Sequence, residues 1–161
     1  MGQHWRPVNL DRREYIDPFR LGAGTKLWEQ LAGYPGTGTA LVVLTAVMLE
    51  PRGSGDLDID ENWHGPGRKF PEHGVCPGPM PKDYPAIAKR TIGRWAGDRI
   101  AIIGDYAEDG DLPSEFHANS IYEDCDNGKW KDVTDDVAAV IEHEFKGRFV
   151  GDDWREFVQE K

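Results

Sequence analysis

The chain has 161 residues, with 29 acidic side chains against 19 Lys and Arg and a formal charge of −10. This length suits one domain with its own core and is short for two. The charge argues against a general nucleic-acid or anionic-membrane binder, because phosphate neutralisation needs clustered Lys and Arg. Gly and Pro number 19 and 11 and predict long irregular connections, and no apolar run reaches the ~20 residues of a membrane span.

Along the chain, His4 to Asn9 and Glu14 to Ile16 read as short strands joined by the polar turn LDRR, with Pro7 placing the first strand at a sheet edge. Asp17-Pro18 ends that unit. LGAGTKLWEQLAGY reads as a short helix in which Leu27, Trp28 and Leu31 share a face, so Trp28 is expected to anchor the core. GTGTALVVLTAVMLEP predicts a second helix, capped by Thr37 or Thr39 and buried on most sides; a buried strand is the alternative.

From 51 to 85 the chain carries proline at 51, 66, 71, 77, 79, 81 and 85, which no central strand or long helix tolerates. An irregular loop of that length in a small domain usually serves function or motion. Beyond it, Thr91 to Trp95 and Arg99 to Asp105 read as a hairpin around Ala96-Gly97-Asp98, with the apolar IAII run covered on both faces. SIYEDC is expected as a short strand and KWKDV as a half-buried one. TDDVAAVIEHEF follows as an amphipathic helix capped by Thr134 or Asp135, with its early acids suiting the positive helix end. DDWREFVQEK reads as a final short helix. The expected fold is a single α+β domain: a small, mainly antiparallel sheet covered by helices near 26–32, 40–49 and 135–145.

Charge is unevenly spread. Ile100 to Gly128 holds eight acids (Asp105, Glu108, Asp109, Asp111, Glu115, Glu123, Asp124 and Asp126) and no Lys or Arg, whereas His64 to Arg99 holds seven basic residues against three acidic ones. A block of that kind either steers a charged partner or is solvated surface.

Several chemistries can be weighed on these residues. AIIGDYAEDGD lacks the G-x-G-x-x-G of a dinucleotide site, and its acids would repel phosphate. Asp105, Asp109, Gly110 and Asp111 partly follow a calcium loop, but Ala107 and Phe116 stand where ligands belong. Asp56, Asp58 and Asp60 form a second acidic ladder able to share one face of an extended segment. His73 and Cys76 make half of a zinc site that His64 and His117 or Cys125 would complete. A serine-nucleophile elbow G-x-S-x-G is missing. Trp95, Asp98, Arg99, Asp105 and Tyr106 form the best-defined polar and aromatic group, read as turn and core structure or as a recognition patch.

Two stretches, MGQ…VNLDRREYIDPFRLGAGTKLWE and GRWAGDRIAIIGDY, resemble a family of small uncharacterised bacterial and bacteriophage proteins with an MGQ-x-NLD-x-x-E-Y start and a G-R-W-A-G-D-R hairpin. The resemblance covers about half the chain and departs from the family between Asp58 and Tyr84, where this chain is longer and richer in proline. It implies no activity, cofactor or catalytic residue; a phage- or defence-related setting enters only through it. The expected function is a non-enzymatic cytoplasmic protein-binding module without a cofactor, with two widely spaced cysteines placing it in a reducing compartment. Its contacts would be Trp95, Asp98, Arg99, Asp105, Tyr106, Asp109 and Asp111. Two alternatives stand beside it: a metal-dependent enzyme using zinc or calcium at the acidic loop or around His73 and Cys76, and an acidic decoy of nucleic acid.

Overall fold

A computed structural model describes residues 2–32, 36–47, 69–70, 74–75 and 82–142. In chain order the elements are β1 (Trp5–Asn9), β2 (Glu14–Tyr15), a 3-10 turn (Phe19–Leu21), α1 (Leu27–Ala32), α2 (Thr37–Thr45), β3 (Lys69–Phe70), β4 (Gly74–Val75), α3 (Tyr84–Thr91), β5 (Ile100–Gly104), α4 (Ala118–Asp126), β6 (Lys131–Asp132) and α5 (Thr134–Val140). The fold is α+β. Its main sheet runs β5-β1-β2-β6, antiparallel at β5/β1 and β1/β2 and parallel at β2/β6, so it is mixed. β3 and β4 pair antiparallel as a separate two-stranded ribbon.

The two faces of the sheet carry two different cores. Val8 and Leu10 join Ile103, Ile121, Cys125 and Trp130 under α4. On the other face, Ile16, Val43, Leu44, Ala88, Trp95 and Val137 pack together between α2, α3 and α5. Helices therefore cover both faces of the sheet.

Several elements differ from the sequence reading. β1 is an inner strand, not an edge. Pro7 is tolerated there because its carbonyl accepts from Ile16 N–H at 3.1 Å, so its missing N–H falls on the same side, where the short β2 has ended. β5 and β6 are the edge strands, and the β5 run is covered only in part, with Ile102 exposed. SIYEDC is helical, within α4: Ala118, Ile121 and Cys125 recur at helical spacing and are buried. Trp28 is 80% exposed and Leu31 is exposed, because α1 turns Gln30 inward instead. The Gln30 amide donates to the backbone carbonyls of Trp5 and Thr25 at 2.7 and 3.1 Å. α2 starts without a side-chain cap. α5 is capped by neither expected residue: the Asp132 carboxylate accepts from Thr134 N–H at 2.8 Å, while the Thr134 hydroxyl accepts from Asp17 N–H.

The expected 91–105 hairpin does not form. Thr91 closes α3, the next residues make successive turns, and only Ile100 to Gly104 is strand, paired to β1. Gly93 and Trp95 instead donate to the carbonyls of Val43 and Leu44, at 2.9 and 2.8 Å, and so close the C-terminal end of α2. Gly93 is required twice over. Its φ of +72° is left-handed, and a Cβ there would lie 2.5 Å from the Ala46 carbonyl oxygen.

Candidate functional site

The two sequence motifs that stood out, VNLDRREY and GRWAGDR, meet in space. The Asn9 side-chain oxygen Oδ1 accepts from the Asp11 and Arg12 N–H groups and shapes the β1–β2 turn, while its side-chain amide Nδ2 donates to Asp98 at 2.9 Å. Arg12 donates to the same Asp98 oxygen, and Asp11 receives both the backbone N–H and the guanidinium of Arg99. These donors hold the carboxyls of Asp98 and Asp11 below the ordinary aspartate range. Beneath them Glu14, 4% exposed, accepts two hydrogen bonds from Arg94 at 2.5 and 2.8 Å and one from the Trp95 indole at 3.0 Å. Burial raises the Glu14 pKa, but the Arg94 and Trp95 bonds and the Arg94 charge outweigh it, leaving the carboxyl below its usual value.

This assembly corrects part of the expected recognition patch. Trp95 is 0% exposed and cannot touch a partner. Asp98 and Arg99 are committed to the chain's own turns, Arg99 also pairing with Glu115 at 2.9 Å and lying 4.6 Å above the Phe116 ring. Asp98 pairs with Arg12, because β1 and β5 are neighbours and the β1–β2 turn reaches over the strand start.

The remaining expected contacts sit together on an exposed loop after β5. Asp105, Tyr106, Glu108, Asp109 and Asp111 are all exposed, Tyr106 by 64%. Asp105 accepts from His4 N–H at 3.0 Å, Asp111 from Glu108 N–H at 3.0 Å and Asp109 from Asn119 N–H at 3.4 Å. Each of those three carboxylates thus uses an oxygen to shape the loop, which fixes where the charges point. Among the described residues none of Asp105, Glu108, Asp109, Asp111 and Glu123 forms an ion pair, whereas Glu115, Asp124 and Asp126 pair with Arg99, Lys129 and Arg6.

Asp109 binds the first turn of α4, and that turn borders an open cleft of about 180 Å³. Leu10, Phe116, Ile121 and Trp130 give it apolar walls; Arg13, Glu115, His117, Ser120 and Asp124 give it polar ones. Arg13 has a φ of +54°, the left-handed conformation that closes the four-residue turn between β1 and β2. The Ser120 hydroxyl faces the His117 backbone carbonyl and the Asp124 carboxylate, at 3.1 and 3.3 Å. Lys129, 2.7 Å from the other Asp124 oxygen, holds that carboxyl below its ordinary range. The cleft can receive a small apolar group and hydrogen-bond around it.

This cleft was not legible as a site, since SIYEDC reads as a strand until its burial period is recognised. The usable signal was Ala118, Ile121, Tyr122 and Cys125, which recur at helical spacing. On the buried side of α4, the Arg6 guanidinium lies 4.9 and 4.4 Å from the Tyr15 and Tyr122 rings and pairs with Asp126 at 2.8 Å. Burial pushes the adjacent Cys125 thiol up to about 11, against the pull of Arg6.

His64, His73, Cys76, Asp56, Asp58 and Asp60 lie outside the described residues. Among the described residues no group of three or more His, Cys, Asp or Glu side chains is placed to share a metal ion, and no helix is long and apolar enough to cross a membrane. Compared with protein-family models, curated proteins and solved structures, the chain has no match in any of the three.

Proposed function

We propose that this chain is a non-enzymatic protein-binding module whose 105–111 loop engages a basic surface on a protein partner. The observation that carries the reading is the set of exposed carboxylates on that loop that no Lys or Arg of the described chain neutralises. Their backbone hydrogen bonds hold them in place before a partner arrives, which lowers the ordering cost of binding. Tyr106 supplies an exposed aromatic among them, a residue type that carries binding energy at interfaces. The cleft beside α4 offers a small apolar pocket next to the charged loop.

The test is affinity capture from the native host with the wild-type chain and with the Asp105→Asn, Asp109→Asn, Asp111→Asn triple variant. These side chains are exposed, so the variant keeps the fold, which circular dichroism checks. The reading expects basic proteins bound by the wild type and depleted by the variant. Equal capture by both would sink it.

A further inference from the structure

β5 closes one edge of the main sheet, with β1 as its neighbour. Leu10 N–H donates to the Arg99 carbonyl at 2.9 Å and Asp105 N–H to the His4 carbonyl at 3.0 Å. Backbone polar groups alternate sides along a strand, so Arg99, Ala101, Ile103 and Asp105 turn theirs toward β1. Ile100, Ile102 and Gly104 turn theirs away from the sheet. Among the described residues nothing pairs with the outward N–H and C=O of Ile100 and Ile102; the Gly104 carbonyl accepts from Ala107 N–H at 3.1 Å.

Natural edge strands are usually blunted by Lys, Pro or a bulge. IAIIG has none of these; it is mostly β-branched, and Ile102 is 38% exposed. Such an edge is a template for another strand.

We propose that β5 pairs antiparallel with β5 of a second copy of this chain, across a two-fold axis at Ile102. The register is self-complementary, as a two-fold interface requires. Centring on Ile102 sets Ile102 against its own copy, Ile100 against Gly104 and Arg99 against Asp105. The hydrogen-bonded pairs are then Ile102/Ile102 and the two Ile100/Gly104 pairs, about six new hydrogen bonds to outward-facing groups, two of which share the Gly104 carbonyl with Ala107 N–H. The Gln3 side chain lies over Gly104, where the opposing Ile100 arrives, and Arg99, already paired with Asp11 and Glu115, brings its charge opposite Asp105 at both ends of the ladder. A slip by two residues sets Asp105 against Gly97 or Ala101, breaks both charge pairs and shortens the ladder.

Each copy carries −10, and each acidic loop begins at Asp105, at the end of the shared ladder. Screening that repulsion should strengthen pairing, whereas salt weakens binding of a basic partner. The two associations therefore respond to salt in opposite directions, and the pairing stands or falls independently of the partner.

The test is sedimentation velocity on the full chain at about 10 µM to 1 mM, with expected Kd values in the micromolar-to-millimolar range of small interfaces. Dimer should grow with concentration and with added salt. Ile102→Lys, at an exposed position, sets two like charges opposite each other on the axis and should weaken dimerisation at least about tenfold. Hydrogen exchange supplies a second readout on the wild-type chain. The Ile100 and Ile102 amides should become protected as concentration rises, while Ala101 and Ile103, already bonded to β1, should not change. A monomer throughout the range would overturn the proposal. So would a dimer indifferent to Ile102→Lys, or Ile100 and Ile102 amides that exchange at one rate at all concentrations.

Discussion

Replacing Glu14 by Ala removes, in one step, the acceptor for three donors that join β2 to the turn after α3. Arg94 loses both hydrogen bonds and Trp95 loses the partner of its indole N–H. Deleting one member of a buried ion pair costs about 3–5 kcal/mol. The Arg94 side chain is 21% exposed, which lets water recover part of that and reduces the share to about 2–3 kcal/mol. The Trp95 N–H has no such recourse in the core, and an orphaned buried donor adds about 1–3 kcal/mol. The sum, about 3–6 kcal/mol, should lower the melting temperature by roughly 6–24 °C in a domain of this size. Urea titration followed by tryptophan fluorescence gives the free energy and calorimetry gives the temperature. Trp95→Phe, which keeps Arg94 paired and most of the buried ring area, should cost only about 1–2 kcal/mol.

The pH dependence has a definite sign. Glu14 titrates below the ordinary glutamate value in the folded chain, so its contribution is complete above that ordinary value of about 4.3. It is lost as pH falls through the lower folded value. The stability gap between wild type and Glu14→Ala should stay constant from neutral pH down to about 5.5 and shrink below about 4.3. A Glu14→Ala chain within about 0.5 kcal/mol of wild type, the usual range for surface changes, would refute the buried-clamp reasoning.

Further predictions use the same logic. Trp28→Ser should leave the unfolding free energy within about 0.5 kcal/mol of wild type, since that ring is exposed. Trp95→Ala should cost about 3–5 kcal/mol in the same denaturation experiment, through the cavity it opens in the core. Gly93→Ala meets both a left-handed φ and the Ala46 carbonyl, and should cost more than about 1–2 kcal/mol. Gly38→Ala, in α2 with open space around it, should instead stabilise by up to about 1 kcal/mol. Cys125, buried and pushed up to about 11, should resist alkylation at pH 8 in native buffer and react in denaturant, read peptide by peptide in a mass spectrometer.

How far the sequence spoke depended on whether a residue's partner was local. The fold class, the N-terminal strands and the helix at 134–140 followed from alternation and from helical spacing, which act within a few residues. The structure of GRWAGDR did not. Its turns are set by the end of α2, whose Val43 and Leu44 carbonyls take the Gly93 and Trp95 amides across about fifty residues of chain. Trp28 misled for a similar reason, because burial of α1 is decided by Gln30 reaching the Trp5 and Thr25 carbonyls, and no apolar pattern reports that. The acidic loop was visible as composition. What composition could not show is which carboxylates the chain neutralises itself: Glu115, Asp124 and Asp126 are answered by Arg99, Lys129 and Arg6, all brought close by folding.

That division between carboxylates that are neutralised and those that are not, among the described residues, is the basis of the proposed protein-binding role, and the salt dependence of affinity probes it most directly. The Kd between this chain and a captured partner would be measured by calorimetry from about 0.05 to 0.5 M salt, for wild type and for the Asp105, Asp109, Asp111 triple Asn variant. The account predicts a wild-type affinity that falls steeply with salt, and a variant that binds more weakly with a clearly flatter slope. Parallel slopes for the two chains, or a wild-type affinity indifferent to salt, would contradict it.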